Sequence, residues 1–464
     1  MKKSVIIAGL AMSWLTAAAQ TDSGGISLKD IEGFRASFAA TPGTKALHNA
    51  IANNPINSLA LNHENLNNLD THFSHRVPSK GITNQRSSGR CWLFTGLNVL
   101  RAQAMTEHNL PQLELSQSYN FFWDQLEKSN LFLQGVIDTA SKPFEDRTVD
   151  WLFSNPLSDG GQYTGIADNL MKYGVVPIEV MGETESSKST ATMRRLLSLR
   201  LREDGLELRK LAAEGRDSNA LETRKKEMLS QIYRMLALNL GEPPTEFTWT
   251  RRDSDGQIVD TKTYTPQSFY KTFIGNDLKN DYVMLMNDPT REYYKLYEIE
   301  YDRHGYDGYN WTYVNLPIED IKQMAIASIK DGKAMYFSCD VGKFINKDLG
   351  LLDENNYDYD SLFGTKFGMN KADRIRTHSS ASSHAMTLVA VDLDAKDQPK
   401  KWMVENSWGN GANNGHLIMT DKWFDEYMFR LVVDKKYLTP KASKVLSQQP
   451  TLLPPWDPMF APEE

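Results

Sequence analysis

The feature that most constrains this chain is a change of hydrophobic period along its length. Up to about residue 330 most apolar residues recur at helical spacing, whereas AMYFSCDVG, HAMTLVAVDL, KWMVENSW, GHLIMT and FRLVVDK beyond it have the short apolar runs of strands. Helices first and a sheet later predict an α+β fold with segregated halves. In the first half, ISLKDIEGFRASF sets Ile31, Phe34 and Phe38 at helical spacing, and SQSYNFFWDQLEKSNLFLQGVI forms a further helix. The stretch CWLFTGLNVLRAQAM, from Cys91 to about Met105, is apolar nearly all round and therefore belongs in the middle of a domain. Between about 186 and 240, amphipathic segments rich in Leu, Arg, Lys and Glu end at Gly241-Glu242-Pro243-Pro244, a helix stop, and read as a helical insertion.

Composition narrows the class. With 40% apolar and 24% charged residues in 464, the chain suits a soluble globular protein and is too polar to cross a membrane several times. Residues 1–20, MKKSVIIAGLAMSWLTAAAQ, combine a basic start, an apolar run and small residues before a polar continuation, which is a secretory signal pattern. A secreted or periplasmic location is expected, with no membrane contact beyond that segment. The net charge of −7 disfavours nucleic acid as a partner. The cluster Arg194, Arg195, Arg200 and Arg202 is interleaved with Glu203, Asp204 and Glu207, so it reads as a solvated or subunit-contact face. The expected organisation is a helical lobe over 21–185, the helical insertion over 186–280, a β-rich lobe over 281–450 and a tail over 451–464.

An exported protein of this size is expected to carry disulfides, yet Cys91 and Cys339 are its only cysteines. The surroundings of Cys91 argue for a thiol. Ser87, Ser88 and Gly89 precede it as cap and turn residues of a helix start, where the dipole lowers a cysteine below its usual value of about 8.5. A thiolate nucleophile also needs an imidazole. Of nine histidines, His384 is best placed: an antiparallel pairing of HAMTLVAV with KWMVEN in which residue numbers sum to 790 sets it opposite Asn406. The Asn406 carboxamide would fix the ring's tautomer and leave its other nitrogen for the thiolate, while Trp408 would shield that bond from water. Gln85, six residues before Cys91, is a candidate oxyanion donor together with the Cys91 amide. His378, in RTHSSASS, has a loop composition and reads as a surface histidine. The sequence contains no HExxH, no CxxC pair and no phosphate loop, so neither metal nor cofactor is expected.

GITNQRSSGRCWLF, SHAMTLVAV and VENSWG together resemble the three active-site blocks of papain-like cysteine peptidases. NPINSLALNHENLNNLD, SDGGQYTGIADNLMKYGVVP, FSCDVGKFIN and LLPPWDPMF are similar to the bleomycin hydrolase and aminopeptidase C branch, with the match running from about residue 27 to 460. The resemblance implies a two-lobed papain-like fold with Cys91 as nucleophile, His384 as general acid/base, Asn406 as orienter and Gln85 as oxyanion donor. It also implies that Gly160 and Gly161 pair with an extended peptide substrate, with Trp408 and Glu464 among the substrate-binding residues. Ser88 stands where many secreted relatives have a disulfide cysteine, in agreement with a Cys91 thiol, and Cys339 reads as a buried structural residue. In that branch the C-terminal tail enters its own cleft and its last carboxylate receives the substrate's α-amino group; here Phe460 replaces a usual small residue and the chain ends Pro462-Glu463-Glu464. The branch forms hexameric rings, which implies a homo-oligomer. The implied activity is an aminopeptidase acting on peptides. The altered tail leaves an endopeptidase of the same fold as one alternative, and a catalytically silent assembly protein is another.

Overall fold

A computed structural model describes residues 24–38, 41–66, 70–78, 81–253 and 255–460. The signal pattern over 1–20 and the terminal Glu464 lie outside the described residues. The chain divides into two compact units, 1–61 and 62–464.

The small unit holds the helices Leu28–Ser37, Pro42–Asn53 and Ile56–Ala60. Ser27 and Thr41 start the first two with capping boxes, each side chain and its partner three residues on satisfying one another's amides. The expected helix over Ile31, Phe34 and Phe38 therefore exists, but Phe34 and Phe38 are exposed.

In the large unit the helix Cys91–Glu107 packs against the strand His384–Leu393. Both ends of this helix's apolar sequence are buried, and the residues that make it apolar all round face core on nearly every side. Beside it lie Gln117–Asp138, capped by the Ser116 hydroxyl, and Tyr163–Tyr173. Gly174 ends the latter at φ +75°, with its α-carbon so close to Pro266 that a Cβ would stand 2.3 Å from backbone. The amphipathic block forms two helices of 23 residues each, Ala191–Ala213 and Ser218–Leu240, packed on Gln117–Asp138, the second ended by Gly241 at φ +89°. Several arginines of this block are held within the chain: Arg194 by Asp159, Arg200 by Glu203 and Asp204, and Arg202 by the Phe153 and Ser154 carbonyls.

Among the described residues the main sheet has twelve strands. Its centre runs Tyr282–Met286, Met428–Asp434, Met335–Cys339, His384–Leu393, Pro399–Glu405, His416–Thr420, all antiparallel neighbours. All five strand runs expected beyond residue 330 are present. The segregation is less strict than the sequence suggested. Tyr282–Met286, Lys295–Ile299 and Thr312–Asn315 join the sheet from before residue 330, and His75–Arg76 pairs with the His384 strand. A hairpin, Phe247–Arg252 with Ile258–Tyr264, lies inside the stretch read as helical insertion. Its inward residues Phe247, Trp249 and Tyr264 pack on Phe269 and Phe273, so aromatic packing sets its conformation where the helical period has ended.

Candidate active site

Cys91 is the first residue of its helix and is fully buried. The expected serine cap is absent: the capping position is Arg90, whose carbonyl accepts from the Leu93 and Phe94 amides, and among the described residues no side chain caps the helix. Ser88 is unavailable for that role because its hydroxyl donates back to the Gln85 carbonyl at 2.6 Å and accepts from Arg90 Nε at 3.0 Å. Arg90 is completely buried, stacked near Phe94 and Phe121, and doubly bonded to Glu183. Its charge is thereby committed to Glu183, and an anion at Cys91 is favoured by the helix dipole rather than by this guanidinium. Burial pushes the Glu183 carboxyl up, but the hydrogen bonds and charge of Arg90, with the Ser187 and Ser118 hydroxyls, together outweigh it and hold the group below the usual carboxylate range.

His384 opens its strand and is 2% exposed. Its Nε2 lies 2.8 Å from Asn406 Oδ1, an oxygen that also accepts the Ser407 amide at 2.8 Å. A carbonyl oxygen can only accept, so Nε2 carries the proton and Nδ1 is the nitrogen left for chemistry. The register that brings the pair together differs from the expected one. Thr387 faces Glu405 and Leu388 faces Val404, so residue numbers sum to 792, and the expected His384–Asn406 cross-strand pair does not form. Pairing ends at Glu405, and Asn406 reaches the ring from the first position beyond the strand. A slip of two residues keeps every side chain on its face, which is why the expected contact survives an incorrect register. The Trp408 ring lies 4.9 Å from the imidazole and is 40% exposed, so it covers this bond on one side and meets solvent on the other.

The segment before Cys91 is tied to the segment after Asn406. The Gln85 amide donates to the Ser407 carbonyl at 2.8 Å, Gly409 donates to the Thr83 carbonyl at 3.0 Å, and Asn84 and Trp408 form an antiparallel bridge. Gln85 is 4% exposed; its Oε1 accepts from the Ser407 hydroxyl at 2.6 Å and its Nε2 donates to the Ser88 carbonyl at 2.7 Å. One Nε2 hydrogen thus remains for a further acceptor. His384, Asn406, Ser407, Gln85 and the turn before Cys91 form one chain of hydrogen bonds. Ser407 was not read from the sequence: a serine between Asn406 and Trp408 looks like a small spacer until its hydroxyl is seen on Gln85.

Gly160 and Gly161 lie just before the helix Tyr163–Tyr173, beside the Cys91 helix. Trp92 Nε1 donates to the Asp159 carbonyl at 2.9 Å, and Asp159 Oδ2 accepts the Gly89 amide at 3.0 Å and the Thr190 hydroxyl. A Cβ on Gly89 would stand 2.8 Å from that carboxylate, so glycine is required for the approach. The glycine pair lines an apolar pocket of about 160 Å³ with Leu131, Trp151, Leu157 and Phe460. Phe460 sits edge-on to Trp151 at 5.6 Å, in a tail anchored by Arg147 over Trp456, by Arg291 on Asp457 and by Arg430 on the Met459 carbonyl. Glu464 lies outside the described residues. Cys339 is a buried strand residue opposite His384 in the sheet, and His378 is exposed in a turn at φ +55°.

A group the sequence did not reveal lies behind the glycines. Asp124, fully buried, faces Lys128 at 2.9 Å and His304 Nδ1 at 2.5 Å. Burial pushes its carboxyl up, and Lys128 followed by His304 outweigh burial and hold it below the usual range. Burial, then Lys128, hold His304 below the usual imidazole range, so the ring is neutral and donates its Nδ1 hydrogen to Asp124. The sequence YDRHGYDG around His304 has no period that would mark it.

A model of the peptidase C1-like family matches residues 25–460. The chain is 39% identical to aminopeptidase C of Lactobacillus delbrueckii subsp. lactis over 442 residues, covering 94% of this chain and 98% of that one. It is 42% identical to human bleomycin hydrolase over 401 residues, covering 84% and 88%. A crystal structure of PepW from Lactobacillus rhamnosis HN001 superposes with a TM-score of 0.91 at 39% identity, covering 95% of this chain and all of that one.

Proposed function

The chain belongs to the peptidase C1-like family and is a cysteine aminopeptidase of papain-like fold, and from that premise we propose that it removes N-terminal residues from peptides through a Cys91 acyl-enzyme. The Cys91 thiolate attacks the scissile carbonyl carbon, forming a C–S bond while the π-electrons move to oxygen. Gln85 Nε2 and the Cys91 amide donate to that oxyanion. His384, protonated at Nδ1, gives this proton to the departing amine as the C–N bond breaks. It then takes a proton from water, which attacks the thioester and expels the thiolate. Asn406 holds the ring through Nε2 at both stages. The observation that carries this reading is the hydrogen-bond chain from His384 through Asn406 and Ser407 to Gln85, which holds base and oxyanion donor in one rigid unit.

Exopeptidase action is assigned to the tail. Phe460 reaches the pocket lined by Gly160 and Gly161, which supports the tail as the limiting element, with Glu464 proposed as the acceptor for the substrate ammonium. The test is mass spectrometry of products from an unblocked decapeptide, with the mature enzyme and with a form truncated after Met459. Stepwise loss of N-terminal residues, changing to internal cuts on truncation, is expected. Internal cuts by both forms overturn the tail's role and make the protein an endopeptidase. A homo-hexamer and an exported location complete the proposal; sedimentation giving a monomer, or an N-terminus retained at Met1 in fractionated cells, overturns each.

A further inference from the structure

The substrate strand carries two glycines, and glycine by itself gives a backbone no rigidity. Something must therefore fix Gly160-Gly161 if it is to meet an extended peptide without an ordering cost at each encounter. Its carbonyl side is held by Lys128, whose ammonium donates to the Gly160 oxygen at 2.6 Å and the Ser158 oxygen at 3.2 Å. Its α-carbon side is held by His304. A Cβ built on Gly161 would lie 2.4 Å from His304 Cε1, and one on Gly165 2.0 Å from Nδ1, so the imidazole occupies the room that both side chains would need. The same ring stands edge-on to Trp92, at 4.9 Å and 77°, next to the nucleophile in the chain. Lys128 and His304 meet at one group: Asp124 Oδ2 faces the ammonium and Oδ1 the imidazole.

We propose that Asp124 is the positioning residue of the substrate strand, setting Gly160-Gly161 through Lys128 on one side and His304 on the other. The inference rests on the reading of the glycine pair as the substrate-binding strand. Asp124 never touches the peptide. It decides where the backbone that does so stands, and it is separate from the hydrogen-bond chain that orients His384. The effect of losing it falls on peptide binding and not on the reactivity of Cys91.

Asp124→Asn keeps the shape and removes the charge that holds both arms. The assay is steady-state hydrolysis of an unblocked peptide beside the rate at which iodoacetamide alkylates Cys91, which reports the thiolate–imidazole pair without needing the glycine strand. KM is expected to rise about tenfold, the loss of one charge-assisted interaction, with kcat and the alkylation rate within about twofold of the parent enzyme. Lys128→Met, which cuts the carbonyl arm and also takes the ammonium from Asp124, is expected to raise KM as well, and it decides the matter if Asp124→Asn is insoluble. Gly161→Ala separates the two layers. A raised KM in Gly161→Ala with none in Asp124→Asn or Lys128→Met overturns the positioning role and leaves the glycine strand standing. An unchanged KM in Gly161→Ala overturns the glycine reading and the inference with it. Alkylation falling in parallel with peptide turnover means that Asp124 merely supports the fold, which also overturns it.

Discussion

Replacing Ser407 with alanine tests whether the proposed base, His384, and the proposed oxyanion donor, Gln85, are mechanically linked. The Ser407 hydroxyl donates to Gln85 Oε1 at 2.6 Å, and both residues are at most 4% exposed, so no solvent is at hand to take over the bond. Its removal leaves the Gln85 carboxamide held by one contact, Nε2 to the Ser88 carbonyl, about which the amide can swing or flip. The lower bound on the cost is one buried neutral hydrogen bond, about 1 kcal/mol, or roughly fivefold in kcat/KM. The upper bound is loss of an oxyanion donor, roughly 10²–10³-fold. The Ser407 amide still holds Asn406 Oδ1, so the imidazole keeps its orientation and the Cys91 alkylation rate is expected to stay within about twofold. The decisive assay is a double-mutant cycle on kcat/KM with Gln85→Ala. If Ser407 acts only through Gln85, the double variant is no slower than Gln85→Ala alone. A further tenfold loss from Ser407→Ala in the Gln85→Ala background would refute the linkage.

Cys91→Ala is expected to reduce turnover by roughly 10⁵-fold or more while leaving the unfolding midpoint nearly unchanged, measured by peptide release and calorimetry. Asn406→Ala leaves a buried Nε2–H without its acceptor and is expected to lower kcat/KM by roughly 10- to 150-fold, the cost of a hydrogen bond to a charged group. Glu183 has a depressed value in the folded state, so its contribution to stability is complete above its ordinary value of 4.5 and fades as the pH falls through the lower folded value. Glu183→Gln, which also strands the buried Arg90, is expected to melt lower at neutral pH and to lose less than the parent enzyme on acidification below pH 4.5. Gly174→Ala puts a Cβ 2.3 Å from Pro266 backbone at φ +75° and is expected to destabilise the fold by about 2–4 kcal/mol in urea unfolding.

Cys91, His384, Asn406 and Gln85 were legible because each sits beside a strong local signal: an apolar helix start, a strand start and a strand end. At the site end the strand register was wrong by two, and there the error did no harm because period-two alternation preserves faces under such a slip. Residues whose roles depend on a partner distant in the chain were not legible. Asp124 is 180 residues from His304, and neither lies in a pattern that distinguishes it from an ordinary helix acid or loop histidine. Ser407 is next to a recognised residue, yet its function is set by Gln85, 322 positions away. The hairpin at 247–264 was missed for a different reason. Its exposed face is mostly Thr, Arg and Lys, and two short polar strands carry too weak an alternation to stand out after long amphipathic helices.

The tail's anchoring determines how its role can be tested cleanly. Thr451–Leu453 pairs in parallel with Lys295–Ile299, Asp457 is ion-paired with Arg291, and Met459 is buried with its carbonyl on Arg430. Arg430 is fully buried, and Arg291 is 20% exposed at its side chain. A cut before Asp457 would remove acceptors from both guanidiniums and open the space filled by Met459, at a cost of several kcal/mol, so lost activity in such a form would report unfolding. A cut after Met459 keeps every one of these anchors and removes only Phe460 and the four residues beyond it. Phe460 contributes an edge contact with Trp151 and a wall of the pocket beside Gly160 and Gly161. The shortened enzyme is therefore expected to keep its fold and the Cys91 helix, and a change from stepwise to internal cleavage in it is the outcome that supports the proposed role of the tail.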